Sequence, residues 1–416
     1  MTQENQRPEW VRQVNEEGAL WARAGMLADM VPLDFDGLVA AARRETGLSS
    51  FGEDDWAEPL QVLLRALEEE AELNLMGRLA TRSELLIWLG NRLKITDLVA
   101  RHPEILDEVI DRPIFIAGLG RSGTSILQEL LHQDPGLRTP LFWEAYYPVE
   151  SALSQGTDAR AQALGDGIVT QWIRVNPEMQ TMHETAGHLP SEDATLVTFG
   201  FVTDHIPSFY QIPSYHQYLN GADPNLFYRH HKRALQVLQW RRPGRRWFTK
   251  SATWHLVHLE TLFRHYPDAR IIHTHRDPLR INASVGNLLR AYYFQRSDKP
   301  FDAPGFRAIL DGAATGQLLE RVIDLRQSGK VPQAQIVDAL YQDLMEDPVA
   351  AVAKIYRAFD MPFDEAAAER INRYLAFKPK HKHGVHRYAL LTDAERAAKR
   401  PLLARYQSHY GVPDEM

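Results

Sequence analysis

Apolar positions along this chain change their period near residue 111. Upstream, Leu60, Leu63, Leu64 and Leu67 recur at helical spacing, and so do Leu85, Leu86, Leu89 and Leu93. Residues 10–110 are therefore expected to be helical, with the acidic run Glu68-Glu69-Glu70 on a solvated face. From Arg112 onward, short apolar runs alternate with helical segments, the pattern of an α/β fold with a parallel sheet flanked by helices. Strands are expected at 114–117, 247–249, 270–274 and 335–339, and helices at about 124–132, 254–265, 278–293 and 348–358. This divides the chain into a helical N-terminal cap, residues 1–110, with a structural role, and an α/β domain, residues 111–416. The stretch 150–245 is rich in aromatic residues and histidine, and no internal repeat is evident. Residues 294–306, with Lys299-Pro300 and Pro304-Gly305, read as an exposed loop and a candidate lid.

Composition narrows the function classes. Of 416 residues, 44% are hydrophobic and 24% charged, values of a soluble globular protein with a sizeable core. The net charge of −7 gives no reason to expect nucleic acid or an anionic membrane as a bulk partner. The absence of cysteine excludes disulfides, thiolate metal sites and cysteine nucleophiles. The polar, acidic start does not read as a signal peptide, and no apolar run reaches the ~18 residues of a membrane span. A cytoplasmic protein is the expectation.

The stretch 113–127, Pro-Ile-Phe-Ile-Ala-Gly-Leu-Gly-Arg-Ser-Gly-Thr-Ser-Ile-Leu, reads as a buried strand, a glycine turn and a helix starting near Thr124. Such a turn aims backbone N–H groups and the positive end of a helix dipole at one point, where a phosphate can sit. The spacing from Gly118 to Gly123 matches the phosphate-loop pattern, but Thr124 stands where ATP- and GTP-using enzymes carry lysine. The loop cation is Arg121 instead. An anion site is expected without the usual triphosphate chemistry.

A second signal lies at Arg270-Ile-Ile-His-Thr-His-Arg-Asp-Pro278. Arg276 ends a strand, and Ser284, about two helical turns further on, returns to the same neighbourhood. An arginine fork with a hydroxyl suits a second phosphate. His273 and His275 alternate on this strand and are expected in the core or behind the site.

Taken together, these motifs resemble those of the sulfotransferases that use 3′-phosphoadenosine-5′-phosphosulfate (PAPS). In that family a loop of the form [PG]-x-[RK]-S-G-T-[TS] grips the 5′-phosphosulfate; here it is Leu119-Gly120-Arg121-Ser122-Gly123-Thr124-Ser125. The resemblance implies that Arg276 and Ser284 hold the 3′-phosphate, and that Tyr341, in Tyr341-Gln-Asp-Leu344, lies by the adenine. It implies that Lys250, closing Trp247-Phe-Thr-Lys250, approaches the sulfuryl group. It likens the basic segment with Lys382 and Gly384 to a loop that closes on the 3′-phosphate. The similarity spans residues 112 to about 390 and implies a P-loop-type sheet, PAPS as sulfuryl donor and no metal. Arg121, Lys250 and the loop N–H groups would then stabilise charge on the departing oxygen.

The general base is less well marked. Small-molecule members of the family carry a histidine two residues after the strand-end lysine, but that position is Ala252 here. Other branches use a glutamate about twenty residues beyond the loop. Glu144 falls in that region, and Trp143 beside it is expected to raise its pKa towards neutrality. The alternatives are that Glu144 is a helix-start carboxylate, and that the base lies in the cluster His183-Glu184, His188 and Glu192-Asp193. The spacing of that cluster is not the H-E-x-x-H of a helical zinc site.

The expected activity is transfer of a sulfuryl group from PAPS to a hydroxyl of a small, lipophilic alcohol or phenol. The aromatic stretch 199–218 would line its pocket or belong to the ordinary core. Two other classes stay open: a phosphoryl-transferring or hydrolysing P-loop enzyme, and a non-catalytic nucleotide-binding protein. Thr124 counts against the first, Lys250 and Glu144 against the second. The oligomeric state is not legible.

Overall fold

The structure is a computed structural model that describes residues 7–182, 184–301, 312–378 and 391–415. Its centre is a five-stranded parallel sheet: β1 (Ile114–Gly118), β2 (Leu137–Arg138), β3 (Arg246–Lys250), β4 (Arg270–His275) and β5 (Ile336–Leu340), in the order β2-β3-β1-β4-β5. All five residues of β1 are buried, as in a parallel strand covered on both faces. The four expected strands are present within a residue or two of their bounds. The edge strand β2 has only two residues and leaves no apolar run to read.

Alternation along β1 builds two apolar layers. Ile114 and Ile116 face Leu127, Leu130, Phe248, Ile272, Val352 and Ile355. Phe115 and Ala117 face the opposite layer, a cluster that runs without a break into Leu60, Leu63, Leu85, Leu89 and Leu93 of the N-terminal helices. Those helices are Glu9–Arg23, Leu27–Met30, Phe35–Thr46, Ala57–Glu69 and Leu75–Arg101. Each leucine fully buried there contributes about 1.5–3 kcal/mol. None of the described helices is long and apolar enough to cross a membrane.

From the central strand β1 the chain moves first to the β2–β3 side and later to the β4–β5 side. The crevice at such a reversal, beyond the carboxyl ends of the strands, is where open α/β sheets bind ligands. Register places Ile116 beside Lys250 and Gly118 beside Thr274, so the phosphate-loop turn, Lys250 and Arg276 all leave the sheet at that edge.

The expected loop at 294–306 differs at its start. The helix Pro278–Phe294 is followed by Gln295, Arg296 and Ser297, all buried. Arg296 donates to Glu84 Oε1 (2.8 Å) and to Tyr210 Oη (2.7 Å), and Ser297 bridges to Leu73. An arginine in that place reads as polar and exposed in sequence; a carboxylate on a distant helix makes it core. Residues 302–311 lie outside the described residues.

Candidate active site

The turn after β1 is shaped by backbone geometry. Gly118 has φ +153°, and a Cβ there would lie 2.2 Å from Thr274 Oγ1. Gly123, at φ +89°, caps the helix Thr124–Leu131, and a Cβ on it would lie 2.8 Å from Tyr341 Cδ2. Ser122 is turned inward: its hydroxyl donates to Leu119 O (2.6 Å) and pairs with Thr274 Oγ1 (2.6 Å). The serine therefore braces the loop and has no side-chain contact with its mouth. Among the described residues no atom approaches the Cβ direction of Gly120 within 4 Å, and its N–H donates to Thr253 Oγ1 (3.3 Å). Thr124 and Ser125 begin the helix, where backbone N–H groups lack intrahelical acceptors.

The cation missing from position 124 arrives from the neighbouring strand. Lys250 Nζ donates to Ser125 Oγ (3.1 Å) and pairs with Glu192 Oε1 (2.7 Å); the lysine is 2% exposed. The Glu192 side chain is about 41% exposed and faces the cleft.

Arg121 takes a different course from the expected one. It sits at φ +71°, and its guanidinium leaves the loop, Nε donating to Ser284 Oγ (3.0 Å) and Nη1 to Met182 O (3.1 Å). Arg276 lies next to it and donates through Nη1 to Arg121 O (3.1 Å). Its remaining nitrogens hold Glu415, Nε reaching both carboxylate oxygens (3.0 Å) and Nη2 reaching Oε2 (2.8 Å). The Tyr341 ring lies 3.9 Å from the same guanidinium. Arg121, Arg276, Ser284 and Tyr341 thus form one cluster, and a carboxylate already occupies its fork.

Glu144 requires a correction. It is 1% exposed, at the start of the helix Phe142–Tyr146. Its carboxylate accepts from Arg242 Nη1 (2.8 Å), Ser151 Oγ (2.8 Å), Leu141 N (3.1 Å) and Arg138 Nη2 (3.4 Å). Burial pushes its pKa up, but Arg138, the Leu141 N–H and Arg242 pull it below the usual value. This is opposite to the shift a base near neutrality needs. The carboxylate at Lys250 is Glu192, from the cluster named as the alternative source.

The rest of that cluster is dispersed. Asp193 is wholly buried between His255 and His231. Glu184 pairs with Lys378 (2.7 Å), His188 is exposed, and His183 lies outside the described residues. Lys382 and Gly384 are also outside them. His273 and His275 are buried, as expected. Their donor atoms meet those of Asp338, but Arg326 stands among them, 2.5 Å from Asp338 Oδ1 and 3.0 Å from His273 Nδ1. A metal ion would have to displace that guanidinium.

The aromatic stretch 199–218 is mainly core: Phe199, Phe201, Phe209, Tyr210 and Tyr215 are buried. Beside the site, Met179, Met182 and Ala291 pack with Leu288 and Tyr292. Tyr292 is within electrostatic reach of both Glu192 and Arg121. Burial and Glu192 push its phenol up, and Arg121 pulls it down.

Comparison with known proteins agrees with this geometry. A sequence model of the sulfotransferase family matches residues 113–365, more than half of the chain. The omega-hydroxy-beta-dihydromenaquinone-9 sulfotransferase Stf3 of Mycobacterium bovis and that of Mycobacterium tuberculosis are each 25% identical to it over 287 residues, 66% of this chain and 69% of theirs. The crystal structure of sulfotransferase STF9 from Mycobacterium avium superposes with a TM-score of 0.75 at 28% identity, covering 92% of this chain and 99% of that one. STF1 from Mycobacterium tuberculosis H37Rv gives 0.71 at 29% identity, covering 88% and 98%. The parallel sheet, the phosphate loop and these matches lead to one assignment: the chain belongs to the sulfotransferase family.

Proposed function

We propose that this protein transfers a sulfuryl group from PAPS to the hydroxyl of a lipophilic alcohol or phenol, with Glu192 as the general base. The observation that carries the reading is the position of Lys250 Nζ, between the phosphate-loop hydroxyl of Ser125 and the carboxylate of Glu192. Gly120, Gly123, Thr124 and Ser125 would receive the 5′-phosphosulfate on backbone N–H groups, with Ser122 holding the turn. Arg276, Ser284 and Arg121 would hold the 3′-phosphate. The fit is supported by Glu415, a carboxylate that already satisfies the Arg276 fork. Tyr341, against that fork, would flank the adenine.

In the reaction the acceptor oxygen attacks sulfur and the bond from sulfur to the bridging phosphate oxygen breaks. Glu192 takes the acceptor proton, and Lys250 stabilises the negative charge on the leaving oxygen. Adenosine 3′,5′-bisphosphate and a sulfate ester leave. The lipophilic acceptor is supported by the apolar wall of Met179, Met182, Leu288, Ala291 and Tyr292 beside Arg121, since methionine adapts to varied apolar ligands. It is supported also by the named substrate of the Stf3 relatives, a hydroxylated menaquinone derivative. Residues 1–110 act as a cap that buries one sheet face, and 111–416 carry the site.

The test is release of adenosine 3′,5′-bisphosphate from PAPS with 2-naphthol and 1-dodecanol as acceptor probes, with and without a chelator. Turnover that is indifferent to chelation and lost in Glu192→Gln is the expected result. Equal affinity for adenosine 3′,5′-bisphosphate and AMP, or a strict magnesium requirement, would reject the assignment.

A further inference from the structure

A buried chain of titratable groups lies one residue behind Glu192 and is unused by the chemistry above. Asp193 Oδ2 is 2.8 Å from His255 Nε2 and 3.3 Å from His231 Nε2. The far nitrogens of both rings meet phenols: His255 Nδ1 is 3.1 Å from Tyr228 Oη, and His231 Nδ1 is 2.8 Å from Tyr266 Oη. Asp193, His231 and His255 are all 0% exposed. Burial pushes the Asp193 carboxyl up, but the two histidines more than offset it, and the group stays ionised. A buried carboxylate is costly, and an apolar side chain of that volume would fill the space at less cost.

The connectivity suggests what the arrangement does. Glu192 has extended backbone (φ −93°, ψ 150°), in which successive side chains point to opposite sides. Asp193 therefore points into the core while Glu192 points into the cleft. His255 lies on the helix Ala252–Val257, which begins directly after β3 and Lys250. Two short covalent links, Glu192 to Asp193 and Lys250 to His255, are thus closed by two contacts, Asp193 to His255 and Glu192 to Lys250. Fixing the buried contact fixes the distance available to the exposed one.

We propose that Asp193, clamped by His255 and His231, is a positioning residue that holds Glu192 against Lys250 for proton removal. The inference rests on the assignment of Glu192 as base. It goes beyond that assignment in giving the buried network a role in turnover, separate from nucleotide binding. The ionised Asp193 accepts from Nε2–H of His255, which leaves Nδ1 to accept from Tyr228 and sets the tautomer of the ring. The network is then a fixed relay of hydrogen bonds from the helix after Lys250 to the residue after Glu192, with no exposed polar group of its own.

The test compares Asp193→Asn, His255→Leu and His255→Gln, each alone and combined with Glu192→Gln. Turnover is measured from PAPS with 2-naphthol as acceptor probe, and binding from calorimetry with adenosine 3′,5′-bisphosphate. Asp193→Asn and His255→Leu should lower kcat at least tenfold, with the KM for PAPS and the affinity for the bisphosphate within about twofold of the parent. His255→Gln, whose amide can still donate to Asp193, should recover most of that loss. Neither substitution should add to the loss already caused by Glu192→Gln, because a positioned base that is absent cannot be mispositioned. Wild-type kcat in Asp193→Asn and His255→Leu, losses that multiply with Glu192→Gln, or a parallel fall in nucleotide affinity would each overturn the proposal. Should Asp193→Asn fail to fold, the contrast between His255→Leu and His255→Gln decides. Full activity of Glu192→Gln would instead remove the base assignment on which the inference stands.

Discussion

The two halves of the cleft are assembled differently. At the half proposed to hold the nucleotide, the loop after β1 is a single stretch of chain, and Arg276 and Ser284 lie about two helical turns apart on one strand–helix unit. At the half proposed for transfer, Lys250 and Glu192 come from segments almost sixty residues apart and meet across 2.7 Å only because the long excursion between β2 and β3 folds back over the sheet edge. Local geometry suffices to bind a phosphate, because backbone N–H groups and a helix dipole come with the turn itself. Proton transfer needs one carboxylate at one place, and no local pattern supplies that.

The sharpest way to break this comparison is to exchange the two candidate carboxylates. Glu192→Gln should lower turnover by roughly 10²–10⁴ while adenosine 3′,5′-bisphosphate still binds, as expected when a general base is lost. Glu144→Gln should leave turnover of the folded enzyme near that of the parent. It should instead lower the melting temperature, because Arg138 and Arg242 lose a buried ionic partner, an effect of about 3 kcal/mol. A dead Glu144→Gln that binds nucleotide normally and melts normally would reverse the assignment.

The nucleotide half is probed by Arg276→Ala. Loss of a charge-assisted fork costs about 1.5–3 kcal/mol, so affinity for adenosine 3′,5′-bisphosphate should fall by about ten- to a hundredfold. Affinity for AMP should barely change, and calorimetry with both nucleotides checks the split.

Smaller effects sharpen the picture at the same fork. In the proposed nucleotide complex Glu415 would leave Arg276 and a 3′-phosphate would take its place. Glu415→Gln removes the competing charge and should raise affinity for the bisphosphate several-fold without affecting AMP. Unchanged affinity for the bisphosphate would show that the carboxylate and the phosphate do not share the fork.

The smallest effect belongs to Asp204, beside the transfer half. Burial, and then Glu192, push its carboxyl up to about 7. A carboxyl whose folded-state pKa exceeds its unfolded value, about 3.9, destabilises the fold increasingly as pH rises between those values, and fully above the higher one. Asp204→Asn should therefore melt close to the parent at pH 4 and a few degrees higher at pH 8. A melting difference that does not grow with pH would place Asp204 outside that environment.

Much of the molecule was legible in the chain. Short apolar runs marked four of the five strands, most completely β1, which is buried along its whole length; β2 could not be read, because two residues form no run. The phosphate loop was legible because its glycines are demanded locally: Gly118 and Gly123 have φ of +153° and +89°, a backbone that L side chains rarely adopt. That Arg276 and Ser284 would lie in one neighbourhood followed from helical spacing, and the cluster with Glu192 was the alternative to Glu144 as base.

Which carboxylate stands against Lys250, and where each cation points, only tertiary structure decided. Trp143 signalled that Glu144 would be buried, but not that a buried Arg138 and a half-buried Arg242 would meet it and pull its pKa down. Arg121 had the place of a phosphate-binding cation, yet a positive φ turned it toward Ser284 and Met182, while Lys250 reached the loop from the adjacent strand. The physical reason is one of range. Backbone conformation and side-chain periodicity act within a few residues, and sequence records them directly. The charge and reach of an ionisable group depend on whichever distant segments pack against it, and those are fixed only when the chain has closed on itself.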